Sequence, residues 1–254
     1  MDYIYRKVDD YGIFYAWFEA MHTRIDFIMW DSGLKESDFC QISDKARKEI
    51  LRIEMFANCF NHESELSVIN GTAVNKWTDV SKELCDILSN CISYYSQSGG
   101  LFDIAADMRL KGVHINEKYE VDMDNSRVRR LHEFTCLNLS GFIKGYALSS
   151  VIRQIIPSGL KNGMLSLGNS SIYCMGNHPH GEGWLVSNSS EPDKKILLRD
   201  ECLTTSGNFS DNRKHIINPI TGNFVLGKHE ISVITQDPEY GEVKSIVEFI
   251  KKFS

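Results

Sequence analysis

Residues 12–30 read G-I-F-Y-A-W-F-E-A-M-H-T-R-I-D-F-I-M-W. A run so rich in aromatic and β-branched side chains reads as one or two strands, and it commits the start of the chain to a sheet. Helical periodicity comes next. Over 43–60, Ile50, Ile53, Phe56, Ala57 and Phe60 fall on one face. Ser81 is placed to cap a second helix with Leu84, Ile87, Leu88, Cys91, Ile92 and Tyr95 as its stripe, and Gly99-Gly100 stop it. A third helix is expected from about Ser140-Gly141 to Pro157, burying Ile143, Ala147, Val151 and Ile155. Short apolar pieces then alternate with turns: M-L-S-L, S-I-Y-C-M-G, W-L-V-S, K-I-L-L and H-E-I-S-V-I-T. Helices gathered early and strands gathered late predict an α+β fold with a largely antiparallel sheet and helices packed on it.

With 254 residues, 42% of them hydrophobic, the chain can bury a substantial core as one large domain or two small ones. The formal net charge of −6 gives no bulk attraction for a phosphate backbone, so no nucleic-acid partner is expected and an anionic ligand needs a local site. No run of 18 apolar residues offers a membrane span. The opening M-D-Y-I-Y-R-K lacks the apolar stretch of a signal peptide, and seven cysteines without a C-x-x-C read as reduced thiols. Both point to a cytoplasmic chain as sequenced; a processed periplasmic fragment would look the same.

Several short motifs admit two readings each. S-G-G-L-F-D at 98–103 is a helix stop, or a loop whose backbone N–H groups and Asp103 reach a ligand. L-N-L-S-G-F-I-K-G-Y-A at 137–147 is a serine-capped amphipathic helix, or a helix start that meets phosphate with Lys144 adding charge; G-x-x-x-x-G-K-[ST] is absent. L-G-N-S-S at 167–171 is a turn between strands, and T-T-S-G-N at 204–208 precedes R-K-H-I-I-N-P-I-T-G at 213–222. His178 and His180 have the spacing for one metal but no further ligand nearby, so they read as a polar hairpin loop. Ser206 with His215 suggests a hydrolase only weakly, since G-x-S-x-G is missing.

Taken in order, these pieces carry more than any one of them. S-E-L-S-V-I-N at 64–70, G-G-L-F-D, L-x-L-x-G-x-x-K-G-Y-A, L-G-N, T-S-G-N and H-I-I-N-P-x-T-G, with M-H-T at 21–23 for a family M-G-T, resemble the ApbE family of flavin transferases from about Met21 to about Gln236. The resemblance implies one T-fold-like flavin-binding domain over 1–254. It also implies a reaction in which FAD, with Mg²⁺, gives up its FMN half to a Ser or Thr hydroxyl of a partner protein and releases AMP.

By the same resemblance, Phe60 and Met21 line the flavin or adenine ring, where the family usually has Tyr at the first position. Leu101, Phe102 and Asp103 hold the nucleotide. Ser140, Lys144 and Tyr146 meet the pyrophosphate. His215 is the general base or a phosphate contact, with Ile217, Asn218-Pro219 and Thr221-Gly222 shaping the turn that aims it. The metal site departs from the pattern. Ile143 replaces an Ala whose carbonyl helps hold Mg²⁺. An ungapped reading puts Lys244 where the family has a metal-binding Asp, set against the pyrophosphate as a charge in place of the metal, and a short gap gives Glu242 the metal-ligand role instead, with Lys244 facing solvent. No metal ligand is therefore assigned, FAD is expected to bind without Mg²⁺, and a degenerate flavin-binding protein is the alternative. The chain is also expected to be short of the family's final helix and strands.

Overall fold

A computed structural model describes residues 1–187, 193–208, 210 and 215–254. The chain divides into two compact units, each assembled from three segments: 1–54, 142–206 and 230–245 in the first, and 55–141, 207–229 and 246–254 in the second.

The first unit is built on the 12–30 stretch. It forms two strands, β2 (Tyr11–Ala20) and β3 (Thr23–Asp31), paired antiparallel so that Ala20 faces Thr23. The two residues between them, Met21 and His22, take φ of 52° and 57°. That is the left-handed pair of a two-residue hairpin turn, which explains why a glycine suits the second position. Alternation is clean: Phe14, Ala16, Phe18, Ile25, Phe27 and Met29 are buried, while their neighbours along each strand are not fully covered.

An edge strand that the sequence reading missed, β1 (Asp2–Val8), pairs with β2. Helix α1 runs Glu36–Ala57, seven residues earlier than its periodicity suggested, and brings Phe39 against Phe14 at 5.7 Å between ring centroids. The later strands are β7 (Asn162–Leu167), β8 (Ser171–Met175), β11 (Glu201–Gly207) and β14 (Glu230–Thr235). Among the described residues the sheet has seven strands in the order β1-β2-β3-β7-β8-β11-β14, and every registered pair in it is antiparallel. A ribbon of β9 (Trp184–Val186) and β10 (Ile196–Leu198) packs Trp184, Val186 and Leu198 on Ile172, Cys174 and Leu203.

Helix α4 covers Ile143–Ile155, and Ile143, Ala147, Val151 and Ile155 are buried as expected. It starts later than expected and Ser140 does not cap it; the N-cap is Phe142, without a side-chain bond. Helix α5 is Pro238–Phe253.

In the second unit, α2 (Glu65–Gly71) is capped by Ser64, whose Oγ accepts from the Ser67 N–H at 3.0 Å. Helix α3 (Lys82–Gln97) is capped by Ser81 and followed by Gly99 and Gly100 at positive φ, as its sequence predicts. Its stripe is buried at Leu84, Ile87, Leu88 and Cys91, but Ile92 is exposed. A three-stranded sheet of β4 (Thr78–Asp79), β6 (Arg127–Arg130) and β5 (Tyr119–Asp122), in that order, and a pair of β12 (Ile217–Asn218) and β13 (Asn223–Phe224) complete it. All seven cysteines are free thiols. Among the described residues no helix is long and apolar enough to cross a membrane.

Candidate functional site

In the first unit, motifs far apart in sequence meet. The L-G-N turn closes on the M-H-T hairpin through the Gly168 N–H, which donates to the Arg24 carbonyl at 2.9 Å. Ser170 and Ser171 follow that turn. The Lys144 ammonium donates to Ser170 Oγ, and Ser171 Oγ donates to Glu242 Oε1 at 2.5 Å. The Ser170 carbonyl accepts from the Thr205 N–H at 2.7 Å, which ties in T-T-S-G. Ser206 Oγ lies 2.7 Å from Ser245 Oγ, so this hydroxyl is engaged within its own unit. Thr204 Oγ1 is buried without a partner.

The glycine of K-G-Y-A makes this convergence possible. A Cβ on Gly145 would lie 2.6 Å from Glu242 Cγ and would also strike the Pro238 carbonyl. Only a residue without a side chain lets α4 and α5 approach so closely. Glu242 is 5% exposed. Burial pushes its carboxyl above the usual glutamate range, opposed by the Lys144 charge, the Ser171 hydroxyl and the Gly145 N–H. Lys144 and Tyr146 are half-buried, and the Tyr146 ring is 6.5 Å from that of Phe142. Met21 is half-buried in its turn.

Helical spacing turns Gly241, Glu242 and Ser245 inward and leaves Lys244 partly exposed, so Glu242 and not Lys244 stands with Ser171 and Lys144. The sequence reading places Ser170 and Ser171 in a turn and assigns them no role. Their position directly after L-G-N was the available signal.

The second unit holds the remaining candidates. Phe60 lies beyond the end of α1, 68% exposed, instead of on the buried face its spacing suggested. Phe102 is buried with its ring edge-on to Tyr94, and Leu101 is half-buried. The Asp103 carboxylate receives Lys118 Nζ at 2.6 Å and the Ala105 N–H at 2.9 Å, and both charged side chains are 3% exposed. Lys118 Nζ also sits 3.9 Å from the Tyr95 ring centroid. Asp103 therefore anchors its own loop, and what it leaves for a ligand is backbone.

Asn70, the last residue of S-E-L-S-V-I-N, makes two bonds to the Leu137 backbone, at 2.9 and 2.8 Å, and so fixes the strand-like entry to Ser140. Ser140 is exposed, its N–H donating to Asn138 Oδ1 at 2.9 Å.

Asn208 of T-S-G-N organises the stretch that begins at His215. It is 4% exposed, donates to the Val225 carbonyl at 2.7 Å and accepts from the His215 N–H at 3.4 Å. The His215 side chain is exposed, Ile216 and Ile217 are buried, and Asn218 Oδ1 accepts from the N–H groups of Ile220 and Thr221 at 2.8 and 3.2 Å. This winds the N-P-I-T-G turn and leaves Thr221 exposed. Lys214 and Arg213 lie outside the described residues. The His178–His180 stretch is a wound loop, with His178 Nδ1 accepting from the His180 N–H at 3.2 Å and its ring edge-on to Trp184.

Comparison with known proteins agrees with this fold. The structure superposes on the crystal structure of the ApbE protein from Thermotoga maritima with a TM-score of 0.80, over 95% of this chain and 88% of that one, at 18% identity. It superposes on flavin transferase ApbE from Vibrio cholerae with a TM-score of 0.78, over 93% and 86%, at 15% identity. In sequence the chain is 26% identical over 210 residues to the FAD:protein FMN transferase of Chlamydia muridarum, a match spanning 70% of this chain and 66% of that protein. It is 27% identical over 223 residues to the enzyme of the same name from Chlamydia trachomatis, covering 77% and 70%. The sequence profile of the ApbE family matches residues 21–251, nearly the whole chain, and the chain belongs to that family.

Proposed function

We propose that this chain binds FAD and transfers its FMN half to a Ser or Thr hydroxyl of a partner protein. Family membership and the curated relatives named FAD:protein FMN transferase support the reading. The observation that carries it is the cluster of half-buried Lys144 and Ser170 with buried Ser171 and Glu242, a polar set with a cation at a helix start. In the reaction the acceptor oxygen forms a bond to the FMN phosphorus, the bond from that phosphorus to the bridging oxygen breaks, and AMP leaves with that oxygen. The acceptor's proton goes to a base. Such a step needs positioning and charge neutralisation more than covalent help. Lys144 supplies a positive charge on a flexible stem, and the exposed His215 is the proposed proton acceptor or phosphate contact. Phe60 and Met21 offer surface for a ring. The loop at Leu101, Phe102 and Asp103, the turn at Ile217 and Thr221, and Ser140 with Tyr146 complete the proposed contacts. Because each unit is assembled from separated segments, we read 1–254 as one functional domain.

The residues present do not fit a Mg²⁺ ion. That ion wants near-octahedral oxygen ligands that include one or two carboxylates. Glu242 is the buried carboxylate of this cluster; it is bonded to Ser171 and faces the charge of Lys144. Lys144 takes over charge neutralisation, and FAD binding does not depend on the metal.

The test is incubation of the full chain with FAD and a Ser/Thr-bearing acceptor, followed by nucleotide analysis. Release of AMP with FMN appearing on the acceptor supports transfer. Flavin bound with no AMP formed at any Mg²⁺ concentration supports the alternative, a flavin-binding protein without transfer. His215→Ala should lower AMP release by roughly 10²–10⁴ with an unchanged melting temperature; a lowered Tm with unchanged turnover per folded molecule would make His215 structural.

A further inference from the structure

Arg109 lies in a 3₁₀ turn of the second unit, Ala106–Lys111. It is 7% exposed. Its guanidinium makes one weak hydrogen bond, from Nη1 to the Val113 carbonyl at 3.4 Å, and its buried Nε has no acceptor. The neighbouring cations of this unit are served. Lys118 takes Asp103, Arg127 takes Asp122 and Arg129 takes Glu120. Arg130 reaches the carbonyls of Ile69, Thr72, Glu133 and Thr135. Among the described residues of the unit, Arg109 is the arginine left with neither an anion nor a set of carbonyls.

A guanidinium stays charged at any working pH and offers five N–H groups in a rigid fork. Burying it without a partner is costly, so a site that keeps it is completed by something else. Its surroundings are set for close approach. The N-P-I-T-G turn is pressed onto the Arg109 backbone: Gly222 has φ 71°, and a Cβ there would come 2.9 Å from the Arg109 carbonyl oxygen. Asn218 winds that turn with bonds to two of its N–H groups and leaves Thr221 exposed beside it.

We propose that Arg109 is a binding residue for a phosphoanhydride, its fork taking two oxygens of the group. Naming that group as part of FAD rests on the flavin reading above; the anion site does not. The test uses the full chain at constant ionic strength, unfolded thermally with and without sodium pyrophosphate or sodium succinate. FAD and riboflavin titrations accompany it, on the wild type, Arg109→Gln and Arg109→Lys. Pyrophosphate should raise the wild-type Tm by mass action. That rise should vanish in Arg109→Gln and survive in part in Arg109→Lys. FAD should bind Arg109→Gln at least about tenfold more weakly, as loss of a bond to a charged group implies. Riboflavin, which has no phosphate, should bind both alike. An unchanged pyrophosphate response in Arg109→Gln, no response in the wild type, or a response to succinate alone overturns the proposal. If Arg109→Gln fails to fold, the wild-type response and its reduction in Arg109→Lys decide. A pyrophosphate response lost in the variants, in a chain that binds no FAD, upholds the anion site and sinks the flavin reading.

Discussion

Each unit buries an acid in the company of a lysine, and the two arrangements are opposites. Lys118 and Asp103 close directly on each other at 2.6 Å, both out of water, with the Tyr95 ring beneath the ammonium. Lys144 and Glu242 are bonded instead to two consecutive serines, Lys144 to Ser170 and Glu242 to Ser171. A closed pair has spent its charge on the fold. A lysine whose direct bond is to a hydroxyl, with its carboxylate neighbour bonded elsewhere, turns to a ligand at far less cost than one locked in a buried ion pair. The comparison separates anchoring charge from working charge, which motif positions alone do not.

The largest effect expected follows from the closed pair. Asp103→Ala leaves the Lys118 charge buried and unpaired, and should cost about 3–5 kcal/mol of stability in urea unfolding. Replacing both residues by apolar ones of similar volume should recover most of that loss. A double variant as unstable as the single one would mean that Asp103 does more than pair.

The working lysine should behave the other way round. Lys144→Gln removes a bond to a charged group, about 1.5–3 kcal/mol, and so should weaken FAD binding at least tenfold with little change in the urea midpoint. A large loss of stability with unchanged affinity would erase the distinction between the two lysines.

Gly145→Ala tests the packing that brings Glu242 to this cluster. The added methyl meets the Pro238 carbonyl and Glu242, so a loss of about 1–3 kcal/mol is expected, with weakened FAD binding in the part that folds.

The smallest effect is a slope with pH. Burial holds the Glu242 pKa above its unfolded value. The stability tied to its protonated form is therefore full below the usual glutamate range and lost as pH rises through the folded-state value. Glu242→Gln should remove that loss, flattening the urea midpoint as pH rises above the usual glutamate range. Glu49 gives a control of opposite sign. Its bond to Arg52 holds it at about 2, so its stabilisation is present above the usual glutamate range and fades as pH falls toward that value. A Glu242→Gln variant with the wild-type slope would place the titration elsewhere.

Much of the scaffold was legible in the sequence because it depends on local rules. Aromatic and β-branched enrichment over 12–30 marks the strands that become β2 and β3, Ser81 with Gly99-Gly100 brackets α3, and the stripe from Ile143 to Ile155 gives α4. The edge strand β1 was not legible, since an edge strand exposes both polar and apolar residues and its burial pattern is nearly uniform. Phe60 fitted a helical stripe only while the helix was assumed to reach it. The site was less legible, for one reason: partners decide what a charge can do. Asp103 finds Lys118 fifteen residues away, Glu242 finds Ser171 seventy-one residues away, and neither spacing follows a local period. An ungapped reading of α5 favoured Lys244, whereas the inward face of the helix selects Glu242. Arg109 carries no motif at all; only its burial without an acceptor singles it out.

The central claim is that Lys144 supplies the charge a metal would otherwise bring. Titration of the wild-type chain with FAD, once in EDTA and once in excess Mg²⁺ at matched ionic strength, tests it most directly. The account predicts the same Kd in both, and a weaker Kd in both for Lys144→Gln. Binding that appears only with Mg²⁺, or tightens by about tenfold or more when it is added, a difference of about 1.4 kcal/mol, would contradict it.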